Sequence, residues 1–545
     1  MGQVGSIVNM LYTAKAVLSQ HQTNGVSLWG TFNAPRLPPF LANNPLPHGF
    51  PWGKLTDDKN NQYTDCPRSG VKRYYQFNIS RGVIAPDGYQ RDVLLVNDQF
   101  PGPLIEANWG DTIVVDVHNN IEEPAEGTSI HWHGFLQHNT PWEDGAPGIT
   151  QCPIPSGKSY RYEFRADLYG TTWYHAHYSA QYSGGIVGPI VIHGPTRQKY
   201  DIDLGPVMLS VQEGDTTPCT NNAGLSKFMF KRNKVHRLRL INSGADGVQR
   251  FSIDDHSMTV IAEDFVPVKP YETQVVTLGV GQRTDVLVKA NRNPGAYWIR
   301  SNLTSCSSAR QPNALAVVYY EGTDTNATPT STAWDIPDPG TCANQDLDKT
   351  EPLYPIPLKT PTLEQTLAID IFRNESNITL WKFNGVSMRT HYNKPVLLEA
   401  NAGNLDFPLE WNVLNFSGNT SVRLIIQNNG PISHPMHLHG HNFQLLHEGP
   451  GEWDGTIVRP SNPRRRDAYL VRAGGHLVVQ LDAAPGVWAV HCHIAWHASG
   501  GFFATLLVEP DRVKSWEIPS KVQQNCDSWD VWSQNNHVHQ IDSGA

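Results

Sequence analysis

Hydrophobic and polar positions alternate in short runs along most of the chain, and three of these runs repeat one pattern. Residues 157–177 read GKSYRYEFRADLYGTTWYHAH, residues 281–302 read GQRTDVLVKANRNPGAYWIRSN, and residues 475–493 read GHLVVQLDAAPGVWAVHCH. Each starts on a glycine, runs as a period-two strand, turns at Gly170, Gly295 or Gly486, and ends in a second strand holding an aromatic residue. Period-two alternation puts successive side chains on opposite faces and marks half-buried strands, not helices. Two strands at this spacing, read as a hairpin, suit a β-sandwich or Greek-key barrel, and three copies predict three related β-domains.

The repeats set the partition of 545 residues, a length too great for one ordinary core. Residues 1–69 read as an irregular extension, 70–195 as domain one, 196–330 as domain two and 365–545 as domain three. The stretch 321–364, rich in Pro, Thr and Asp, reads as linker, set at 331–364 in the partition. Composition agrees with an all-β chain: 45 glycines and 40 prolines supply turns, and 39% hydrophobic residues fill packed domains. No apolar run approaches the roughly 20 residues of a membrane span, so no membrane partner is expected. A net charge of −9 argues against nucleic acid. The basic run in NPRRRDAYL is expected to be a solvated face.

Histidine is 23 of 545 residues, so random placement gives about one His-X-His. The chain has six, at 131/133, 175/177, 437/439, 439/441, 491/493 and 537/539, the last near the C-terminus being the natural chance match. On a strand, residues i and i+2 leave the same face about 6.5–7 Å apart. SIHWHGF, WYHAHY, HPMHLHGH and VHCHIAWH then offer four pairs, too many imidazoles for one mononuclear site. The second repeat lacks them, carrying Arg300 and Asn302 at the equivalent places.

Parity separates a second site from this cluster. If 491–493 is extended, His491 and His493 share a face and Cys492 takes the other; His434 likewise opposes His437 and His439. His434, Cys492 and His497, the last brought round by a turn, make a His₂Cys set, the ligands of a blue-copper centre. Zinc accepts the same atoms, but it has no redox use for two sites joined by a short covalent path.

These four segments resemble the copper-binding segments of multicopper oxidases, and from about residue 70 onward the chain is similar to laccases of the ascomycete type. The resemblance implies three cupredoxin-like Greek-key β-barrel domains and four copper ions. It assigns His434, Cys492 and His497 to a type 1 copper and His131 and His437 to a type 2 copper. His133, His175, His177, His439, His491 and His493 would hold the type 3 pair, and His441 is left structural. The reaction implied is one-electron oxidation of small phenols and aromatic amines, coupled to four-electron reduction of O2 to water, by a monomer. A ferroxidase-like metallo-oxidase, which needs several carboxylates around the type 1 site, and a non-enzymatic copper-binding protein are the alternatives.

The resemblance also reaches single residues. Phe502, five past His497, stands where ascorbate-oxidase-like relatives carry an axial methionine, and a phenyl group cannot coordinate. Asp246, in NSGADGVQRFSIDDH, matches a substrate-binding carboxylate that accepts the phenolic proton. Asp144, in PWEDGAP, matches an aspartate beside the trinuclear site. The tail ending DSGA resembles one that enters the cluster's channel, with Ala545 in place of leucine. Family pairing suggests disulfides Cys152–Cys526 and Cys306–Cys342, leaving Cys66–Cys219 by elimination. With Asn-X-Ser/Thr at Asn78, Asn302, Asn326, Asn374, Asn377, Asn415 and Asn419, the cysteines point to a secreted glycoprotein. The first twenty residues make a poor signal peptide, though they match a myristoylation pattern.

Overall fold

The computed structural model describes residues 27–86, 88, 90–210, 224–305 and 312–536. The N-terminal targeting patterns, Cys219, Cys306, the His537/His539 pair and the tail to Ala545 lie outside them.

Among the described residues six sheets fall into three pairs, and each pair repeats one topology. In the first sheet of each pair, an opening strand runs parallel to a second, which pairs antiparallel with the leading strand of the sequence repeat. These trios are Lys72–Ile84, Thr112–Asn120 and Ser159–Arg165; Ile202–Leu209, Val235–Asn242 and Arg283–Lys289; and Leu363–Arg373, Ser421–Asn428 and Gly475–Asp482. The closing strands of the repeats, Gly170–Ala176, Ala296–Leu303 and Gly486–Cys492, lie in the second sheet of each pair.

The two strands of a repeat are therefore not a hairpin, as their spacing suggests. The chain crosses from one sheet to the other at Gly170, Gly295 and Gly486 in all three units. The reason is burial. Thr171–Ala176 and Val487–Cys492 are buried on both faces, which an outer hairpin strand would not be. Gly170 and Gly486 take φ of +134° and +146° at the crossing, conformations an L side chain seldom adopts.

Three apolar cores follow, each drawing on both sheets of a pair. Phe77, Val115, Trp132 and Trp173 belong to the first, Phe230, Leu240, Phe251 and Val286 to the second, and Phe383, Leu424, Leu438 and Trp488 to the third. Residues 27–69 wrap domain one mostly as turns. A 14-residue helix, Ser520–Ser533, returns to domain one, where Cys526 is bonded to Cys152 across 374 residues. Cys342 is also disulfide-bonded. Cys66 is not: it is a free thiol whose Sγ lies 3.6 Å from the carbonyls of Pro67 and Ala166, so the Cys66–Cys219 pairing is not made. Among the described residues no helix is long and apolar enough to cross a membrane.

Candidate metal centre

The first histidine of each pair sits on a strand of the second sheet of domain one or three, and the second stands one residue past that strand's end. His131 on Ile130–Trp132 is directly opposite His175, and His437 on His434–Leu438 is directly opposite His491. Opposed residues in an antiparallel pair have Cβ atoms about 5 Å apart, so each domain presents a block of four imidazoles. In domain two the same register pairs Ser252 with Arg300, and Arg300 forms a bidentate ion pair with Asp254 at 2.9 Å. Structure has taken the place of ligation there.

The two blocks face one another across the domain boundary. Ring centroids of His131 and His439 are 3.8 Å apart, those of His133 and His437 3.9 Å, and His177 lies 5.2 Å from His491. All eight are buried. Burial and neighbouring imidazoles hold His133, His175, His177, His437, His439 and His493 well below the usual histidine range, and His491 at about 4. They are neutral at neutral pH, as metal ligands must be.

Hydrogen bonds fix which nitrogen is free. The Nδ1–H of His131 donates to the Asp144 carbonyl at 2.7 Å and that of His439 to Asp144 Oδ2 at 2.8 Å. Those of His437, His175 and His491 donate to the carbonyls of Asp467, Ala176 and Cys492. His133 is reversed, its Nε2–H meeting Asp467 Oδ1 at 3.1 Å. The opposite nitrogens thus carry lone pairs. His439 Nε2 faces His491 Nε2 at 3.1 Å, and His133 Nδ1 faces His493 Nε2 at 3.3 Å. The His439–His491 pair sets two acceptors face to face, which repel unless a cation is shared, and buried His131, His175 and His437 Nε2 and His493 Nδ1 have no hydrogen-bond partner. The donor set fits metal.

Cys492 lies on the other face of the same strand, fully buried and free. Its Sγ is 3.4 Å from His497 Nδ1 and 3.6 Å from His434 Nδ1, which are 3.2 Å apart. His497 arrives on a short helix, Ala495–Ser499, rather than a simple turn. Burial pushes the thiol well above its ordinary pKa and His497 down to about 3. Phe502 is fully buried against this set, its ring 4.9 Å from His434 and 5.3 Å from Phe383. Trp381, which the motifs do not mark, packs 4.3 Å from His497 and 4.7 Å from His434. Trp496, 47% exposed, opens the His497 side to solvent. Asp246 is half-buried in a loop whose Ala245 carbonyl accepts from Ala495 N–H at 3.0 Å, and its charge reaches Cys492.

Charged residues are the main surprise. The arginine run is not a solvated face: Arg464, Arg465 and Arg466 are each at most 3% exposed. Arg464 pairs with Glu263 at 2.7 Å and Arg466 with Asp264 at 2.9 Å, both carboxylates belonging to domain two, while Arg465 donates to the Tyr354 carbonyl. Asp467, next in sequence, was equally hidden; burial pushes it up to about 6 against the pull of Arg283. The sign available in the sequence is the run's position: it lies directly before a histidine-bearing sheet's strand, Ala468–Val471, where alternation should have buried part of it.

Comparison with known proteins gives three matches to models described as multicopper oxidase, over residues 78–197, 169–323 and 359–512. The chain is 37% identical to Laccase-1 of Botryotinia fuckeliana, covering 90% of this chain and 92% of that one. It is 36% identical to Oxidoreductase OpS5 of Beauveria bassiana, covering 90% and 91%. Among solved structures it resembles the laccase from Botrytis aclada with a TM-score of 0.84 and 32% identity, over 91% of this chain and 98% of that one.

Proposed function

The chain belongs to the multicopper oxidase family, and on that premise we propose that it oxidises small phenols and aromatic amines one electron at a time while reducing O2 to water. It is a laccase-like, copper-dependent oxidoreductase of all-β, three-domain, cupredoxin-like fold. Four coppers are the proposed complement. His434, Cys492 and His497 hold a type 1 ion, His131 and His437 a type 2 ion, and His133, His175, His177, His439, His491 and His493 a type 3 pair. Bound copper supplies the electron store, taking single electrons from a donor and delivering four to dioxygen.

The observation that carries this reading is Cys492. Its sulfur joins one ligand set while the residues on either side join the other, so two sites share three consecutive residues. Strand parity turns Cys492 away from His491, and His493 follows at the bend one residue past the strand. The Cys492 carbonyl adds a second link, accepting from His491 Nδ1–H at 2.9 Å. Asp144 holds His131 and His439 in the tautomers that direct Nε2 inward. Asp246, beside the solvent-facing edge marked by Trp496, accepts the proton a phenol must lose on oxidation. Phe502 fills the space next to His434 with an aromatic ring, excluding water and offering no donor atom.

Secretion as a monomeric glycoprotein completes the proposal, supported by the disulfide and by exposed acceptors Asn326, Asn377 and Asn415. We place the domains near 70–195, 196–330 and 365–545, the second without copper ligands, and the three pairs of sheets support that partition. The test is steady-state oxygen consumption by purified holoprotein with a methoxyphenol and with Fe(II). Faster turnover of the phenol supports the proposal; a strong preference for Fe(II) makes it a metallo-oxidase, and a colourless holoprotein refutes the type 1 assignment.

A further inference from the structure

Domain two holds no histidine pair, yet one of its turns is pressed against the cluster. Gly281, at φ +86°, leaves so little room that a Cβ there would stand 3.0 Å from the His493 ring and 3.1 Å from the His133 ring. Two residues on, Arg283 is fully buried and reaches both other domains. Its Nη1 and Nη2 donate to Asp467 Oδ1 and Oδ2 at 2.5 and 2.7 Å, and its Nε donates to the Thr171 carbonyl of domain one at 3.1 Å. Asp264, also of domain two, accepts the backbone N–H of Asp467 at 3.1 Å. Gln282 donates to the Ala468 carbonyl at 2.9 Å.

Asp467 is thereby held at its backbone and at both carboxylate oxygens. It in turn anchors two cluster histidines from different domains: its Oδ1 accepts from His133 Nε2–H, and its carbonyl accepts from His437 Nδ1–H. We propose that the 279–283 turn of the metal-free middle domain, through Arg283 and Asp467, is the positioning device that keeps His133 and His437 in register across the boundary between domains one and three. This rests on the ligand roles given above. Arg283 and Asp467 are positioning residues: neither touches a reacting atom. An arginine fork suits the task because it fixes the plane of the carboxylate, whereas lysine would supply only a point charge.

The test uses full-length holoprotein and three substitutions. Arg283→Lys keeps the charge and loses the fork. Removing such support costs about 10–100-fold in metal affinity, so a chelator titration should strip the type 2 copper that much more easily, and its electron paramagnetic resonance signal should change, with the type 1 colour retained. Asp467→Asn, near in shape, keeps the carbonyl that serves His437 but weakens the bond to His133. The near-ultraviolet absorption of the type 3 pair should change more than the type 2 signal. Arg464→Lys is the control, since it alters an equally buried bidentate pair between domains two and three that serves no cluster histidine. Unchanged copper retention and spectra in the first two variants overturn the proposal, and so does an equal loss in the control, which would make the effect general loosening. Loss of all colour in Arg283→Lys leaves Asp467→Asn to decide by the same criterion. Wild-type protein is measured first; if it shows no type 2 signal, the ligand assignment fails before the positioning question arises.

Discussion

Replacing Phe502 by methionine isolates the tuning of the single-electron site. The backbone at this position is tied to both of its neighbours: Phe502 N–H donates to the His497 carbonyl at 3.0 Å, and Cys492 N–H donates to the Phe502 carbonyl at 3.2 Å. A side-chain exchange therefore leaves the ligand backbone in place. Phenylalanine to methionine is nearly volume-conserving, so the packing cost against Trp381 and Phe383 should stay below about 1.5 kcal/mol. What changes is chemistry, because a thioether can approach a metal as a weak axial donor and stabilise the more highly charged oxidation state. A differential of about 1.4 kcal/mol between the two states corresponds to about 59 mV for a one-electron couple, and a fall of that order is expected. The assay is a redox titration of the visible band in wild type and variant, with copper content and thermal midpoint as controls. A folded, fully loaded variant with an unmoved potential would refute the reasoning, leaving Phe502 a packing residue.

Asp246→Asn should lower kcat/KM for phenols by about 10²-fold, the low end for loss of a general base, and should flatten the acid side of the phenol pH profile. A donor that loses no proton should be oxidised as before, and equal losses for both donors would count against proton acceptance. Copper uptake by the apoprotein at the Cys492 set should release one proton per ion near neutral pH, because the thiol is held protonated and His497 titrates only at about 3. Apparent affinity should then fall about tenfold per unit of falling pH, and a pH-independent affinity would contradict this. Cys152→Ser should reduce stability by about 2–5 kcal/mol in denaturant unfolding, with the visible band of the folded state unchanged; an altered band would show that the disulfide does more than tether the helix.

Much of the candidate site could be read from the sequence because the deciding rule is local. Whether Cys492 points away from His491 and His493 depends only on the strand being extended there, and VHCH states both the pattern and the residues. The repeat was legible for the same reason. What escaped is what depends on partners far along the chain. Alternation identified the two strands of each unit but not that they belong to opposite sheets, since the period says nothing of the neighbour. Arg464 and Arg466 read as surface because their partners Glu263 and Asp264 lie some 200 positions away, and Arg465 because the Tyr354 carbonyl lies 111 away. Asp467 was invisible on the same grounds, its roles with His133 and Arg283 being set by the packing of three domains. Cys66 fell to elimination, a count that ignores geometry: its thiol is free and lies against the carbonyls of Pro67 and Ala166.

The strand Phe503–Val508 is made after every proposed ligand, yet it sits inside its sheet, between Val413–Ser417 and Gly486–Cys492. The helix bearing Cys526 comes later still and must travel back to Cys152 in domain one. A nascent chain therefore has no finished cavity to offer until residues beyond His497 have emerged. Closing the cavity thus waits on residues that follow every proposed ligand in the chain.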